Sequence, residues 1–187
     1  FAEYFTFEKA LNDTSLAKSL LAYVNSDPES VNYAKDRIDF DLYLQASTPN
    51  LISLDDNQNI YSSLDGNYII YSRGGNDNIT LGTGSNLVVA GAGADTVYGG
   101  SGDDTIKLRG EDDTAYGGAG ADTIYGDSGN DNIFGEAGDD FLYGGYGDDH
   151  IYGGAGNDTI YGDEGDDFIN AGAGNDTIYG GDGEDTI

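Results

Sequence analysis

Large aliphatic residues recur along this chain at intervals of nine. Ile79, Val88, Val97, Ile106, Ile124, Ile133, Leu142, Ile151, Ile160, Ile169, Ile178 and Ile187 all fall on the eighth position of one unbroken period. The seventh position is mostly Thr, as at Thr96, Thr105, Thr123, Thr159 and Thr177, and the ninth mostly Tyr, as at Tyr98, Tyr116, Tyr125, Tyr143, Tyr152, Tyr161 and Tyr179. Polar, apolar, polar over three residues predicts a short strand with the aliphatic facing inward. The other six residues of each unit are rich in Gly, Asn and Asp and predict a turn. Gly153-Gly154-Ala155-Gly156-Asn157-Asp158-Thr159-Ile160-Tyr161 is a complete copy of G-G-x-G-x-D-x-U-x, with U a large aliphatic. A strict nine-residue period of this kind predicts a parallel β-helix whose units bury one another's aliphatic side chains.

The polar half of the period is less regular than the apolar half. Ser63 to Tyr71 carries Tyr68, and Leu81 to Val89 carries Asn86, where most units carry Asp. Leu108 to Tyr116 has Leu108, Arg109 and Glu111 at the glycine positions and Ala115 at the core position. The hydrophobic period continues through all three units, so the fold is expected to continue as well.

Residues 1–50 obey other rules. Asp13-Thr14-Ser15 ahead of Leu16, Leu20, Leu21 and Val24 predicts a capped helix that Pro28 ends. Glu29 to Gln45 suggests a second helix, although Ile38, Phe40, Leu42 and Leu44 alternate like a strand. We expect residues 1–50 to be a helical cap over the end of the solenoid, or else the end of an upstream domain. Residues 51–71 are expected to be a transition of degenerate repeats, and 72–187 the repeat domain proper. Asp27-Pro28 is expected to be turn punctuation between the helices; self-cleavage at that bond is the alternative. The chain opens on Phe1 and stops at Ile187, one residue short of a finished unit, so it reads as a piece of something larger.

Charge adds the next constraint. Acidic residues outnumber basic ones 35 to 7, a formal net charge of −28. Residues 1–50 hold four basic and eight acidic groups, and residues 51–187 hold three and 27, or net −24. There is no basic face to displace counterions from phosphate, which argues against nucleic acid and anionic membranes as partners. Such acidity normally marks disorder, but here the acids occupy fixed places among glycines and aliphatics. Self-repulsion would keep the chain loose until cations neutralise it. The chain has no Cys, consistent with a secreted protein stapled by metal rather than disulfides. No run of about 18 apolar residues is present to span a membrane, and no basic, apolar signal segment opens the chain.

The turn composition names the cation. Glycines at the first, second and fourth positions allow close backbone approach, so carbonyl oxygens can turn inward as ligands. The Asp at the sixth position adds a carboxylate. Oxygen-only ligands suit Ca²⁺, which accepts six to eight of them with flexible geometry; Mg²⁺ wants a tighter octahedron. Zinc or copper would want His or Cys, and His150 is the only residue of either kind.

Gly99 to Lys107, Gly117 to Tyr125, Gly144 to Tyr152 and Gly153 to Tyr161 resemble the hemolysin-type calcium-binding repeats of RTX (repeats-in-toxin) proteins. The resemblance implies a mainly β fold, a right-handed parallel β-roll with two units per coil and Ca²⁺ between turns one coil apart. It also implies type I secretion and folding triggered by extracellular calcium. Carried onto this chain, it gives two columns of ligands. One runs Asp77, Asp95, Asp113, Asp131, Asp149, Asp167 and Asp185, with Gly126, Gly129, Gly144, Gly147, Gly162 and Gly165 offering carbonyls. The other runs Asp104, Asp122, Asp140, Asp158 and Asp176, with Gly99, Gly102, Gly117, Gly120, Gly135, Gly138, Gly153, Gly156 and Gly174. Seven loops leave six gaps and five leave four, so ten ions form a ceiling. Distorted or missing calcium is expected beside Asp113, and Asn86 is a candidate for one further weak site against Asp104.

Fifth-position acids such as Asp103, Asp139, Asp148 and Asp166 are expected to be solvated turn residues rather than catalytic pairs, which need a shaped cleft. The Tyr ladder is expected to be cross-strand packing, with glycan or partner binding as the alternative. The function expected is a non-catalytic, calcium-folded module of a secreted or cell-surface bacterial protein, such as a toxin, adhesin or enzyme. The alternatives are a subunit of a surface layer or filament, assembling through roll ends or the Tyr face, and an accessory module that binds a polysaccharide substrate.

Overall fold

The computed structural model describes residues 51–187 apart from 55, 58, 59, 63 and 64. The helical cap expected over residues 1–50, and Asp27-Pro28 within it, lie outside the described residues. No helix among the described residues is long and apolar enough to cross a membrane.

Two nine-residue units make one coil. Each strand pairs in parallel with the strand two units on, so residues at the same position of the period stack. Ile133 pairs with Ile151 and Phe134 with Tyr152 on one face, and Leu142 with Ile160 and Tyr143 with Tyr161 on the other. Alternate units therefore enter alternate sheets, one of eight strands and one of seven. The result is a parallel β-solenoid of about seven coils, as the period predicts.

The eighth-position side chains fill the interior. From Ile79 to Ile160 they are fully buried, Ala115 included, and Ile169 is nearly so. Ile178 is partly buried against this column. Ile187, expected in the core, is instead 70% exposed, because no later strand of the described chain covers it.

Pairing extends further than the expected three residues. From Leu87–Ala92 onward the strands run six residues, as in Asn132–Ala137 and Phe141–Tyr146. Past the aromatic position the backbone goes on pairing with the next coil, Glu136 with Gly154 and Ala137 with Ala155. Only the fourth to sixth positions are left as turn. The longer strand has a consequence for side chains. Alternation makes the eighth position face in, the ninth out and the first in again. The first position is thus a second inward site. Where it carries a side chain, that side chain turns inward: Ala90 and Leu108 are fully buried, Leu81 nearly so, and Ala171 in the last coil partly. In most later units it is Gly.

The turn needs glycine for space and for conformation. Gly102 has φ +113°, and a β-carbon there would stand 2.7 Å from Gly84 O of the preceding coil. Arg109 and Glu111 hold positive φ (93° and 78°) without that freedom, so the irregular unit keeps the same turn at a conformational cost.

On the outer faces, in-register pairing stacks the ninth-position rings. Tyr98, Tyr116, Phe134 and Tyr152 form one ladder, and Tyr125, Tyr143, Tyr161 and Tyr179 the other, with centroids 4.7–4.9 Å apart. The rings lie within 10° of parallel. Ring faces therefore meet each other and edges meet solvent, which supports the packing reading over sugar stacking on an open face. His150 is exposed.

Candidate metal centre

The turns bring the sixth-position residues into two columns, one along each edge of the solenoid. Asp77, Asp95, Asp104, Asp113, Asp122, Asp131, Asp140, Asp149, Asp158 and Asp167 are all buried. Asp176 and Asp185, in the last coil, are half-buried. Each carboxylate ties two coils together through one oxygen. The Asp104 N–H donates to Asp122 Oδ1 at 2.8 Å, and the Asp131 N–H to Asp149 Oδ1 at 2.7 Å, in each case from one coil to the next.

The second oxygen is different. Oδ2 of Asp95, Asp104, Asp113, Asp122, Asp131, Asp140, Asp149, Asp158 and Asp167 is buried with no hydrogen-bond partner. A buried, unpartnered carboxylate oxygen is costly. Burial accordingly raises these carboxyls above their ordinary value, against the pull of the backbone N–H. Asp95, Asp104, Asp122, Asp131 and Asp140 rise to about 6, and Asp149 to about 7. Asp158 and Asp167 are raised for the same reason. Asp113 rises furthest, to about 8, by burial and then by the charges of Asp95 and Asp131. Each column is a row of groups short of a proton or a cation.

Glycine leaves room for one. A β-carbon on Gly99 would stand 2.6 Å from Asp104 Oδ2 and 2.6 Å from Gly117 O. Ca–O bonds run 2.3–2.6 Å. The same pair, the sixth-position Asp of the same unit and the first-position carbonyl of the next coil, bounds Gly126, Gly135, Gly144, Gly153 and Gly162. Asp122 Oδ2 likewise bounds Gly117, and Asp185 Oδ2 bounds Gly180. The fourth-position carbonyls stack along the same edges. Gly102 O faces Gly120, Gly120 O faces Gly138, and Gly138 O faces Gly156 on one edge. On the other, Gly129 O faces Gly147 and Gly147 O faces Gly165. Gly174 sits over Gly156 O.

Each cradle thus offers one orphaned carboxylate oxygen and a first-position carbonyl, with fourth-position carbonyls stacked along the same edge. Among the described residues no three His, Cys, Asp or Glu side chains gather as a metal cluster, so an ion here must draw mainly on the backbone. The donor set fits a hard cation that tolerates many neutral oxygens, which is Ca²⁺.

Two expectations change in detail. Asn86, considered as a weak ligand, turns a nitrogen toward the gap: Nδ2 donates to Gly84 O and to Asp104 Oδ1, both at 2.9 Å. It fills the place of a cation rather than that of a ligand. The fifth-position residues are exposed, as expected, yet they also tie coils. Asp139 Oδ1 accepts from the Asn157 N–H at 2.7 Å, and Asp166 Oδ1 from the Glu184 N–H at 2.8 Å. Nothing in the composition distinguishes such a residue from a solvated one; only the stacking of coil on coil does. In the irregular unit, beside Asp113, Leu108 puts a buried side chain at the position that Gly126 leaves bare.

A model of the RTX calcium-binding nonapeptide repeat matches residues 63–106, 109–142, 125–160, 134–169 and 161–187. No curated protein shows significant similarity to the chain.

Proposed function

The chain belongs to the RTX calcium-binding nonapeptide repeat family, and on that premise we propose that it is a calcium-folded β-roll module of an exported bacterial protein. The reading is carried by one observation: a partnerless buried Asp Oδ2 facing a glycine-shaped cradle, repeated along both edges. Asp104, Asp122, Asp140, Asp158 and Asp176 serve one edge, and Asp131, Asp149, Asp167 and Asp185 the other, where the first position is open. First- and fourth-position glycine carbonyls complete each set. Bound calcium supplies positive charge to oxygens that the fold has stripped of water. The chain's own part is to hold the carboxylate through its Oδ1, to bring two coils together and to keep side chains out of the gap.

Binding and folding are one event in such a design. The cradle exists only when two coils are stacked, so the free energy of binding becomes free energy of folding. Residues 51–187 carry net −24, and this repulsion opposes stacking until cations arrive. Low calcium would keep the glycine-cradled coils unfolded ahead of a type I exporter, and higher calcium outside would close the roll. The module acts non-catalytically, at the cell surface or beyond it; its buried carboxylates face backbone within turns rather than each other across a cleft.

Calcium titration followed by circular dichroism tests this reading, with magnesium as the control. β-Sheet signal should rise with calcium and fall on chelation, while magnesium at equal concentration leaves it low. A chain equally folded in chelator throughout its length overturns the proposal.

A further inference from the structure

Calcium is not the only thing that can fill the gap between coils, and the early coils fill it with their own side chains. We propose that residues 69–116 are held without calcium by built-in substitutes for the ion, forming a prefolded template onto which calcium stacks residues 117–187. The proposal rests on the calcium reading of the later coils.

Three kinds of substitute are present. Ser72 occupies a first position, fully buried, and its Oγ donates to Ala90 O at 2.6 Å. Ala90 O is the first-position carbonyl that faces an open cradle elsewhere. Asn86 occupies a sixth position. Its Oδ1 accepts the Tyr68 N–H at 2.9 Å, as an Asp Oδ1 does elsewhere, and its Nδ2 replaces the orphaned oxygen with a donor. That donor reaches the same classes of oxygen, a fourth-position carbonyl and the Asp of the next coil. Leu81, Ala90 and Leu108 fill their first positions with hydrocarbon.

Charge and burial divide at the same place. Residues 51–116 carry ten acidic and three basic groups, net −7; residues 117–187 carry 17 acidic and none basic, net −17. Eleven of the buried apolar residues fall between Ile70 and Ala115, against six from Ile124 to Ile169 in a stretch of equal length. The early coils have less repulsion to overcome and more apolar surface to overcome it with. Open cradles begin at Gly99 on one edge and Gly126 on the other. With Gly117, Gly135 and Gly153, and with Gly144 and Gly162, they number four and three, or seven. The Gly99 cradle is bounded by Asp104 and by Gly117 O, so it is where the template meets the first calcium-dependent coil.

Hydrogen exchange read by mass spectrometry on the full chain, in chelator and then across a calcium titration, tests the template. Peptides from 69–98 should exchange at least tenfold more slowly than peptides from 126–187 in chelator, and calcium should slow the latter selectively. If both stretches are unprotected in chelator and gain protection at one common midpoint, the template is wrong and the calcium reading stands. If calcium slows exchange nowhere, the calcium reading itself has failed. Asn86→Asp restores an orphaned carboxylate oxygen with little change of shape. It should make protection across 81–104 require calcium; unchanged protection in chelator overturns the substitute role. Leu108→Gly opens one cradle and should bind one more ion than the parent by native mass spectrometry, and an equal count overturns the plug.

Discussion

Leu108 and Gly126 stand at the same position of the period, one coil apart on the same edge. Beside Leu108, the carboxyl of Asp113 is raised to about 8; beside Gly126, that of Asp131 is raised to about 6. Both aspartates accept a backbone N–H from the previous coil, Asp113 from Asp95 at 2.6 Å and Asp131 from Asp113 at 2.8 Å. The scaffold is the same and the filling differs. A buried leucine side chain closes one gap, which on the calcium reading leaves its aspartate no ion to meet. An absent side chain leaves the other gap open, so its aspartate is best ionised against a cation. On the proposed reading, one backbone is stabilised by hydrocarbon in one coil and by metal in the next, and the first-position residue selects between them.

The strongest test of this contrast is removal of a core side chain in each region. Ile106→Ala and Ile151→Ala each delete a fully buried side chain and should each cost about 2–5 kcal/mol. Only Ile151→Ala should raise the calcium midpoint in a circular dichroism titration, since only there does the lost packing act against ion-driven folding. Gly144→Leu should reproduce the Leu108 arrangement in the calcium region. Its β-carbon would meet Asp149 Oδ2 and stand 2.6 Å from Gly162 O. Overpacking of this sort costs about 1–3 kcal/mol, and native mass spectrometry should count one ion fewer.

Acidity sharpens the comparison further. The folded-state carboxyls lie above their ordinary value of 3.8, so protonation favours the metal-free fold. That support is complete below the ordinary value and disappears as pH climbs through about 6 to 7 for Asp122, Asp131 and Asp149, and about 8 for Asp113. In chelator, β-sheet signal should grow as pH is lowered from 8 to 5. Calcium affinity should move the opposite way, because the ligand must be deprotonated. A flat profile in chelator would contradict the burial of these groups. Smaller effects belong to the outer faces. Tyr143→Ala breaks a ladder at 4.8 and 4.9 Å contacts and should cost about 0.5–1.5 kcal/mol beyond lost burial, measured by denaturant unfolding in calcium. Arg109→Ala removes a 3.7 Å pair with Asp127 in which both side chains are more than a third exposed, and should change stability by less than about 1 kcal/mol.

Much of this is legible in the sequence, for a physical reason. The aliphatic at the eighth position and the Asp at the sixth each do one thing in every coil, so repetition exposes them. The first position is harder. Glycine there reads as turn chemistry, a matter of backbone freedom. Its greater importance comes from lying on the inward phase of a strand that runs three residues longer than the aliphatic pattern suggests. Leu108 is visible as a departure because Arg109 and Glu111 depart with it. Ser72, Leu81 and Ala90 look ordinary in units that are otherwise in register. The role of Asn86 is hidden for a related reason. Asn and Asp have the same shape, and only the partners around Nδ2 reveal that the substitution exchanges an acceptor for a donor.

Because each residue pairs with its counterpart two units on, the chain is a ruler with two graduations. Insertion or loss of two units lengthens or shortens the rod by a coil and leaves every remaining unit on its own sheet and edge. Insertion or loss of one unit also preserves the repeat, but it sends every later unit to the opposite sheet and edge. Deleting Gly117 to Tyr125 would set Phe141 against Thr114 in place of Thr123, while His150 still met Phe168 and each aspartate still met another aspartate. Length in such a molecule can change in small steps without rebuilding the cross-section, and the stepwise change falls on side-chain pairing rather than on the backbone.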